Sequence, residues 1–517
     1  MKVYLHNRNY IVPSKINNAM FLVLLLICGF FSFAQGPDIS IIGGTTVRCS
    51  EAPADNLGDS KTLTLPGSPA KTYFIVNETL LREFTETGSF TTGGQNYSPS
   101  GAPGYNPQDV SCLCTTRVTS MGTIFKNRPG IGYDTTSFDV DIGSWDTSNV
   151  ISFQEMFAGA TLFNQDIGNW DTSSARNMNG MFNGARTFNK NLSGWNTPLL
   201  ERLERTFKDA VAFNNGATGS STNTLNWDVS KVTKMVETFR GAEKFNAVLS
   251  NWDTSSAINM IGMFRQTDRF NNGKSSGAST TLNWDTSSVT VMKYMFSYAA
   301  AFNGNLSSWD TSIVNEMNFM FWNAPVFNNG ATGASTTTLN WNTSSVSNMQ
   351  SVFNRAVAFN GNLSNWNTSN VTRMDNMFDN NPVFNNGASS GVSPTLSWDT
   401  SNVTHFNNMF ANADAFNADI SSWNTSSLLQ TYRMFNGADV FNIDIGGWNV
   451  STVNNMSEMF KNASAFYQDL TCWDVDPAPS NTNFSTGSPI DSELPFLPRW
   501  DDPNTASISY TLSIADQ

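Results

Sequence analysis

The sequence contains few charged residues and almost no histidine. Asp, Glu, Lys and Arg make up 14% of its 517 residues, against about 25% in typical soluble proteins. Most carboxylates return at the same place in a repeated pattern, whereas a catalytic centre needs a constellation that occurs once or twice. His405 alone would have to carry Ser/His/Asp or Cys/His chemistry. The sequence therefore predicts a protein that is not an enzyme and holds no cofactor.

An excess of basic charge is also absent. The formal net charge is -13, and no basic stripe offsets it. A field of this sign repels nucleic acid and anionic membranes. Nucleic acid is therefore not an expected partner.

The sequence has no hydrophobic run long enough to cross a membrane. The run Ala19–Phe33 has 15 residues, where roughly 20 are needed. Three basic residues precede this run, and the small-x-small pattern Ser32-Phe33-Ala34 ends it. This order is typical of a secretory signal peptide, which we predict over residues 1–34, with export from the cell and no membrane span after cleavage. The alternatives are an uncleaved membrane anchor and a lipid anchor on Cys28.

Cysteine is scarce as well. Beyond Cys28 the chain has Cys49, Cys112, Cys114 and Cys472. Cys112 and Cys114 are too close in sequence to bridge to each other comfortably. A disulfide would therefore join Cys49 to Cys112 or to Cys114 and would staple the segment that precedes the repeats.

A repeated pattern marked by tryptophan dominates the rest of the chain. Its unit reads W-D/N-T-S-x-V-x-x-M-x-x-M-F-x-x-A-x-x-F-N-x-x-I/L-x-x-W. Such a period predicts a solenoid, in which neighbouring repeats stack to bury a continuous core. We expect about thirteen repeats over 118–476. The thirteen tryptophans, 25 or 32 residues apart, are Trp145, Trp170, Trp195, Trp227, Trp252, Trp284, Trp309, Trp341, Trp366, Trp398, Trp423, Trp448 and Trp473.

Each repeat is predicted to contain one short helix and one short strand, which makes the fold class an α/β repeat solenoid. The apolar residues between Val150 and Phe163 fall on one arc of a helical wheel, about 140° wide. The Asp or Asn and the Thr after each tryptophan are expected to form caps and ladder hydrogen bonds. The stretch F-N-x-D-I-x-x-W is the predicted strand, which would stack in parallel. Every repeated Trp, Met and Phe is expected to pack in the core.

Four of the repeats carry seven extra residues between Phe-Asn and Trp, within 213–227, 270–284, 327–341 and 384–398. Since the inserts enter at one point of the repeat, they are predicted to form a row of loops along one edge, as a recognition surface. The alternative is a tolerated duplication, because surface loops accept insertions cheaply. The candidate binding residues are Asn215, Gly216, Asn272, Gly273, Asn329, Gly330, Asn386 and Gly387.

The segments outside the repeats show other patterns. Residues 35–117 contain short β-like runs among Pro- and Gly-rich turns, which predicts an amino-terminal cap or a small β-rich domain. Residues 477–500 are expected to form a carboxy-terminal cap. Residues 501–517 are expected to be a linker or the start of a further, truncated domain.

The repeat resembles the BspA-like surface proteins of bacteria and the mycoplasma lipoprotein repeat that shares their pattern. The resemblance is carried by VTKMVETFRGAEKFNAVLSNWDTSS (232–256) and NVSTVNNMSEMFKNASAFYQDLTCWDV (449–475), and it covers about 118–500. It implies a leucine-rich-repeat-like, right-handed coil displayed at the bacterial cell surface, which binds extracellular or host surface proteins. The expected function is an adhesion or protein-binding scaffold; the alternative is a glycan-binding protein or a passive structural spacer.

Overall fold

The computed structural model of the chain describes residues 39–42, 46–49, 60–63, 71–87, 90–92, 95–97, 113–128, 135–332, 337–492 and 496–500. The predicted signal peptide, 1–34, lies outside the described residues. The same holds for the terminal segment 501–517 and for much of 35–117.

The described part of the segment before the repeats is built from short strands and one helix. Strands β1 (Ile39–Ile42) and β2 (Thr46–Cys49) form an antiparallel pair, as do β5 (Phe90–Thr92) and β6 (Gln95–Tyr97). Strand β4 (Lys71–Ile75) pairs antiparallel with β3 (Ser60–Leu63) and parallel with β7 (Leu113–Cys114). Helix α1 spans Glu78–Thr87. Its Leu80 and Leu81 are buried in the same core as Val118, so that α1 packs on the start of the repeats.

The described part of the repeats contains no α-helix, so the predicted helix of each repeat is wrong. Between Val150 and Phe163 the backbone makes successive tight turns. Met156 N–H donates to Phe153 O at 3.1 Å, and Ala160 N–H donates to Phe157 O at 3.0 Å. The apolar residues of the arc are nevertheless fully buried. In a chain of such turns, as in a helix, apolar residues three and four positions apart lie on the same side and are buried in the core.

Two residues of each repeat, four positions apart, have a left-handed backbone that ends any helix. In the repeat after Trp145 they are Glu155 (φ 53°) and Gly159 (φ 77°). A residue with a left-handed backbone cannot continue a right-handed helix. Alternate amides then point along the stack, and Phe153 N–H donates to Asn177 O of the next repeat at 2.8 Å. Hydrogen bonds between repeats thus replace those of a helix.

Neighbouring repeats pair in parallel at one residue each. These single-residue parallel bridges link successive repeats from Ser120 to Arg202 and again from Lys234 to Ser480. It lies at the start of the predicted helix rather than in the predicted strand. In the stretch of the predicted strand, pairing is limited to single bridges and to strands β8 (Thr280–Thr281) and β9 (Gly304–Asn305), beside the long repeats.

The core consists of aromatic columns that run along the stack, as the sequence predicts. Each of the thirteen repeated tryptophans is at most 4% exposed. In nine neighbouring pairs of tryptophans the rings stack, with centroids 5.5 Å (Trp195 and Trp227) to 6.5 Å (Trp145 and Trp170) apart. Beyond the first, every one donates its indole N–H to a carbonyl of the preceding repeat, as Trp195 does to Ile167 O at 3.0 Å.

Long and short repeats enter the tryptophan column through different turns. In a short repeat the apolar residue lies three positions before Trp, and Trp170 N–H donates to Ile167 O at 3.1 Å. In a long repeat it lies two positions before, and Trp284 N–H donates to Leu282 O at 2.9 Å across a three-residue turn. Both turns leave the apolar residue's carbonyl able to accept the next indole N–H, such as that of Trp309 on Leu282 O at 2.7 Å.

Residues after the last repeat cover its end. Phe484 is buried, as is Ile490 in the short 3-10 helix Pro489–Ser492. Trp500 lies edge-on to Phe484, with ring centroids 5.0 Å apart. Leu470 N–H donates to Phe496 O at 2.9 Å. These contacts attach the segment predicted as a cap to the core.

Candidate interaction face

The asparagines that were predicted to bind a ligand are buried. Asn215 is fully buried, its Oδ1 accepts Leu192 N–H at 2.8 Å, and its Nδ2 donates to Ser193 Oγ at 2.8 Å. Its equivalents make the same contact with the preceding repeat, where Asn272, Asn329 and Asn386 accept from Leu249, Leu306 and Leu363 at 2.8 Å. These side chains hold the insert to the scaffold.

The paired glycines have a similar role. Gly216 N–H donates to Asn189 Oδ1 at 3.0 Å, with φ at 77°. A Cβ at Gly216 would lie 2.9 Å from the backbone nitrogen of Asn191, so close approach and backbone conformation both require glycine. The other three, Gly273, Gly330 and Gly387, donate in the same way to Asn246, Asn303 and Asn360.

The solvent-exposed part of the inserts lies beyond the Asn-Gly pairs. It comprises 218–222, 274–276 and 389–393, while 333–336 of the third insert lie outside the described residues. That the inserts form a recognition surface stays a prediction, and these residues are the ones that would touch a ligand.

The structure leaves the predicted disulfide untested. Cys112 and the side chains of Cys49 and Cys114 lie outside the described residues. Cys472 is a free, exposed thiol.

The residue after Phe in the F-N motif forms a continuous ladder that sequence reasoning missed. The backbone N–H of this residue donates to the side-chain oxygen of the equivalent residue in the preceding repeat, as Asn189 N–H does to Asn164 Oδ1 at 3.0 Å. Regular recurrence of Asn next to Phe was the available signal. The ladder, called the asparagine ladder below, comprises Asn164, Asn189, Asn214, Asn246, Asn271, Asn303, Asn328, Asn360, Asn385, Asn417 and Asn442.

In most repeats the residues after tryptophan form the predicted caps and ladder bonds, although they cap turns rather than helices. Asp146 Oδ1 accepts Ser148 N–H at 3.1 Å, and Thr147 Oγ1 donates to Asp171 O of the next repeat at 2.9 Å.

One face of the stack differs in chemistry from repeat to repeat. It is formed by the positions equivalent to Gln154, Glu155, Ala158, Gly159 and Thr161, and is called the turn face below. Core positions return the same residue type in nearly every repeat, but the position of Glu155 does not. Because a consensus averages over repeats, it hides this variation. Later repeats place at the Glu155 position Arg205, Glu237, Tyr294, Phe319, Asn376 and Arg433.

Charged residues of the turn face pair with each other around Glu237. Its carboxylate lies 3.0 Å from Arg205, 3.2 Å from Lys208 and 2.6 Å from Arg240. Burial alone would raise the pKa of Glu237, but hydrogen bonds and charges from Arg240 and Lys208 lower it overall. The carboxylate of Glu237 is therefore fully paired with cations of the same face.

Four aromatic side chains form a half-buried cluster further along the turn face. The rings of Tyr294 and Phe319 stack with centroids 4.8 Å apart, and Trp322 lies 5.6 Å from Phe319 and 4.9 Å from Tyr298. Arg265 lies over the Tyr294 ring at 4.9 Å. These four aromatic residues, called the aromatic ridge below, are not part of the repeated pattern.

Three residues of the aromatic ridge have a strained backbone. The φ angles are 58° at Tyr294, 59° at Tyr298 and 62° at Phe319. Bulky side chains rarely adopt this conformation, and such strain costs on the order of 1–3 kcal/mol. Other repeats place Gly, Asn, Ser, Gln or a charged residue there.

A shallow trough lies beside the aromatic ridge. It encloses about 320 Å³ and is lined by side chains from successive repeats. Tyr298 forms one wall of this site, which is called the trough below. Its polar lining comprises Arg186, Asp209, Glu243, Gln266, Asp268 and Asn323.

Asp379, on the turn face, gives the stability of the protein a pH dependence. Burial raises its pKa to about 6, although Arg355, Arg433 and hydrogen bonds from Asn354 and Asn380 oppose the shift. The folded chain therefore binds this proton more tightly than the unfolded chain, so its contribution to stability falls as pH rises toward and through about 6.

We accordingly expect Asp379→Asn to raise the melting temperature at pH 8 and to leave it unchanged at pH 4, as measured by calorimetry. Asp399, whose pKa is lowered by hydrogen bonds from Ser401, is the matched control. Asp399→Asn should bring no gain at pH 8. An equal rise in the melting temperature of Asp379→Asn at pH 4 and at pH 8 would contradict the raised pKa of Asp379.

Among the described residues, no helix is long and apolar enough to cross a membrane. The described side chains also bring together no group of three His, Cys, Asp or Glu residues that could hold a metal ion.

Comparison with known proteins identifies one family. The model of the family described as "Mycoplasma protein of unknown function, DUF285" matches in tandem at residues 97–220, 215–333, 331–393 and 386–493. No curated protein and no solved structure matches the chain. The matched segments together cover most of the sequence and all thirteen repeated tryptophans. The chain therefore belongs to this repeat family.

Proposed function

We propose that the protein is a non-catalytic binding scaffold of the bacterial cell surface, whose turn face binds extracellular or host proteins. In this proposal the stacked repeats form a solenoid of the leucine-rich-repeat type. The parallel pairing of neighbouring repeats and their common aromatic core support it. The predicted signal peptide and the resemblance to BspA-like proteins support display outside the cell.

The aromatic ridge is the observation that favours protein binding. Tyr294, Phe319 and Trp322 lie where other repeats place small, polar or charged residues. Half-buried Trp and Tyr beside arginine are the side chains that dominate binding energy in protein interfaces. The constant core supplies a rigid support, so the ridge is held in place before a partner arrives, which lowers the entropic cost of binding.

The test compares the full-length protein with a ridge variant on an array of extracellular matrix and host surface proteins. The variant carries Tyr294→Asn, Phe319→Asn and Trp322→Asn, because the chain itself uses Asn376 and Asn354 at the equivalent positions. We expect the wild type to bind at least one protein and the variant to bind it at least about tenfold more weakly.

The control variant carries Arg433→Asn and Lys461→Asn, at the same two positions in other repeats. It should bind like the wild type. Absence of any bound protein would favour a passive spacer, and equal binding by the ridge variant would remove the ridge from the interface.

A further inference from the structure

We propose that the trough binds a linear, neutral oligosaccharide. The proposal rests on the proposed function for the exposure of the turn face outside the cell, and Tyr298 belongs to both the aromatic ridge and the trough. It does not depend on protein binding by the aromatic ridge.

The shape of the trough fits a chain rather than a compact ligand. Its lining comes from six successive repeats, from Arg186 to Pro325, in two columns along the stack. With parallel-paired repeats about 4.8 Å apart, the lining extends on the order of 25 Å. Its volume of about 320 Å³ is at the lower end of ligand-sized cavities. A long, narrow site of this kind suits a linear ligand.

The polar side chains of the trough are free to bond with such a ligand. Among the described residues, none of them makes a side-chain hydrogen bond or an ion pair within the chain, in contrast to Glu237. Carboxylates accept, a guanidinium donates, and amides do both. Sugar hydroxyls also donate and accept, so they match this mixture. The side chains concerned are those of Arg186, Asp209, Glu243, Gln266, Asp268 and Asn323.

Apolar groups line the same trough. The ring of Tyr298, with Val211, Ala300 and Pro325, contributes apolar surface beside the polar groups. Sugar rings present C–H groups as well as hydroxyls, and binding sites commonly combine an apolar surface with a few polar groups that fix orientation. The lining therefore matches both kinds of sugar surface.

The backbone of the trough argues against an extended peptide as the ligand. Strand addition needs unpaired main-chain groups. Here Asp209 N–H donates to Arg240 O, Gly241 N–H to Arg265 O, and Gln266 N–H to Ser297 O. These three N–H groups are therefore used between repeats and cannot pair with an added peptide strand.

The charge of the trough disfavours an anionic sugar. Asp209, Glu243 and Asp268 give three carboxylates against the single guanidinium of Arg186. The whole chain adds a net charge of -13. Sulfated or uronic-acid chains would be repelled.

The test uses the full-length protein on an array of neutral linear oligosaccharides of the glucose, mannose, xylose and N-acetylglucosamine series, with anionic oligosaccharides and basic peptides alongside. We expect binding to at least one neutral series. The trough variant, Glu243→Gln with Asp268→Asn, should bind it at least about tenfold more weakly, since charge-assisted hydrogen bonds are lost.

The matched control, Asp414→Asn with Asp439→Asn, changes the same position in two repeats outside the trough. It should bind like the wild type. Tyr298→Asn, with the residue found at the equivalent Asn380, tests the apolar wall and should also weaken binding. The proposal is overturned if no neutral series binds, if the trough variant binds like the wild type, or if the trough variant loses only peptide or anionic ligands.

Discussion

Replacing Trp309 with alanine is expected to lower the free energy of unfolding by about 3–5 kcal/mol. The side chain is 3% exposed, stacks on Trp284 at 6.2 Å, and donates its indole N–H to Leu282 O at 2.7 Å. Its removal leaves a cavity in the aromatic column and takes a hydrogen bond from a buried carbonyl. Because each repeat is supported only by its neighbours, the loss should also separate the two halves of the stack in unfolding. Calorimetry and urea denaturation measure both effects.

Trp322 provides the matched control in the same repeat. It has the same side chain but lies half-buried on the turn face, outside the tryptophan column. Trp322→Ala should therefore cost much less stability than Trp309→Ala. Similar losses for the two variants would contradict the assignment of the tryptophan column to the core and of Trp322 to a surface.

A second large effect is expected at the asparagine ladder. Asn303 is 1% exposed, and its Oδ1 accepts the N–H groups of Asn328 at 2.8 Å and Gly330 at 3.0 Å. Its Nδ2 donates to Gly277 O at 2.9 Å and Ala331 O at 2.8 Å. Alanine would leave two N–H groups and two carbonyls without the hydrogen bonds that this side chain makes. Asn303→Ala should therefore lower the free energy of unfolding by about 3 kcal/mol or more.

The exposed Asn315 is the control for this prediction. No hydrogen bond of its side chain occurs in the described part of the chain, so Asn315→Ala should change stability by no more than about 0.5 kcal/mol. Asn303→Asp separates the two functions of the amide, because a carboxylate still accepts from the two N–H groups but cannot donate. An Asn303→Ala protein as stable as the wild type would show that the ladder contributes nothing to stability.

The aromatic core was predictable because it depends on composition and spacing alone. The intervals of 25 and 32 residues fix which side chains lie above one another, and no single repeat can bury Trp145 or Phe157 by itself. The same spacing predicted the Asp146 turn and the Thr147 hydrogen bond, since both are contacts between positions fixed by the repeat.

The helix prediction failed because hydrophobic spacing reports which residues are buried, not how the backbone is hydrogen-bonded. Val150, Phe153 and Phe157 are buried as expected. A helix and a chain of tight turns bury the same positions, and only the left-handed Glu155 and Gly159 distinguish them. Glycine at some of these positions was a signal, but glutamate or arginine at others concealed it.

The candidate sites show the same division between sequence and structure. Regular insertion pointed to Asn215 and Gly216, yet the structure uses both to attach the insert to the scaffold. Tyr298 and Asp268 are unremarkable in sequence, because they occupy positions that a consensus leaves blank. They line one trough only because stacking brings residues 30 positions apart side by side.

By itself, then, the sequence determined the repeat, the thirteen stacked tryptophans and the burial of the Met and Phe residues between them. The tertiary structure decided the path of the backbone, the asparagine ladder and the surfaces that neighbouring repeats create together. The physical reason is that the burial of a side chain follows from its hydrophobicity and its position in the repeat. The hydrogen-bond partner of each N–H and C=O group, by contrast, is set by the neighbouring repeat that packs against it.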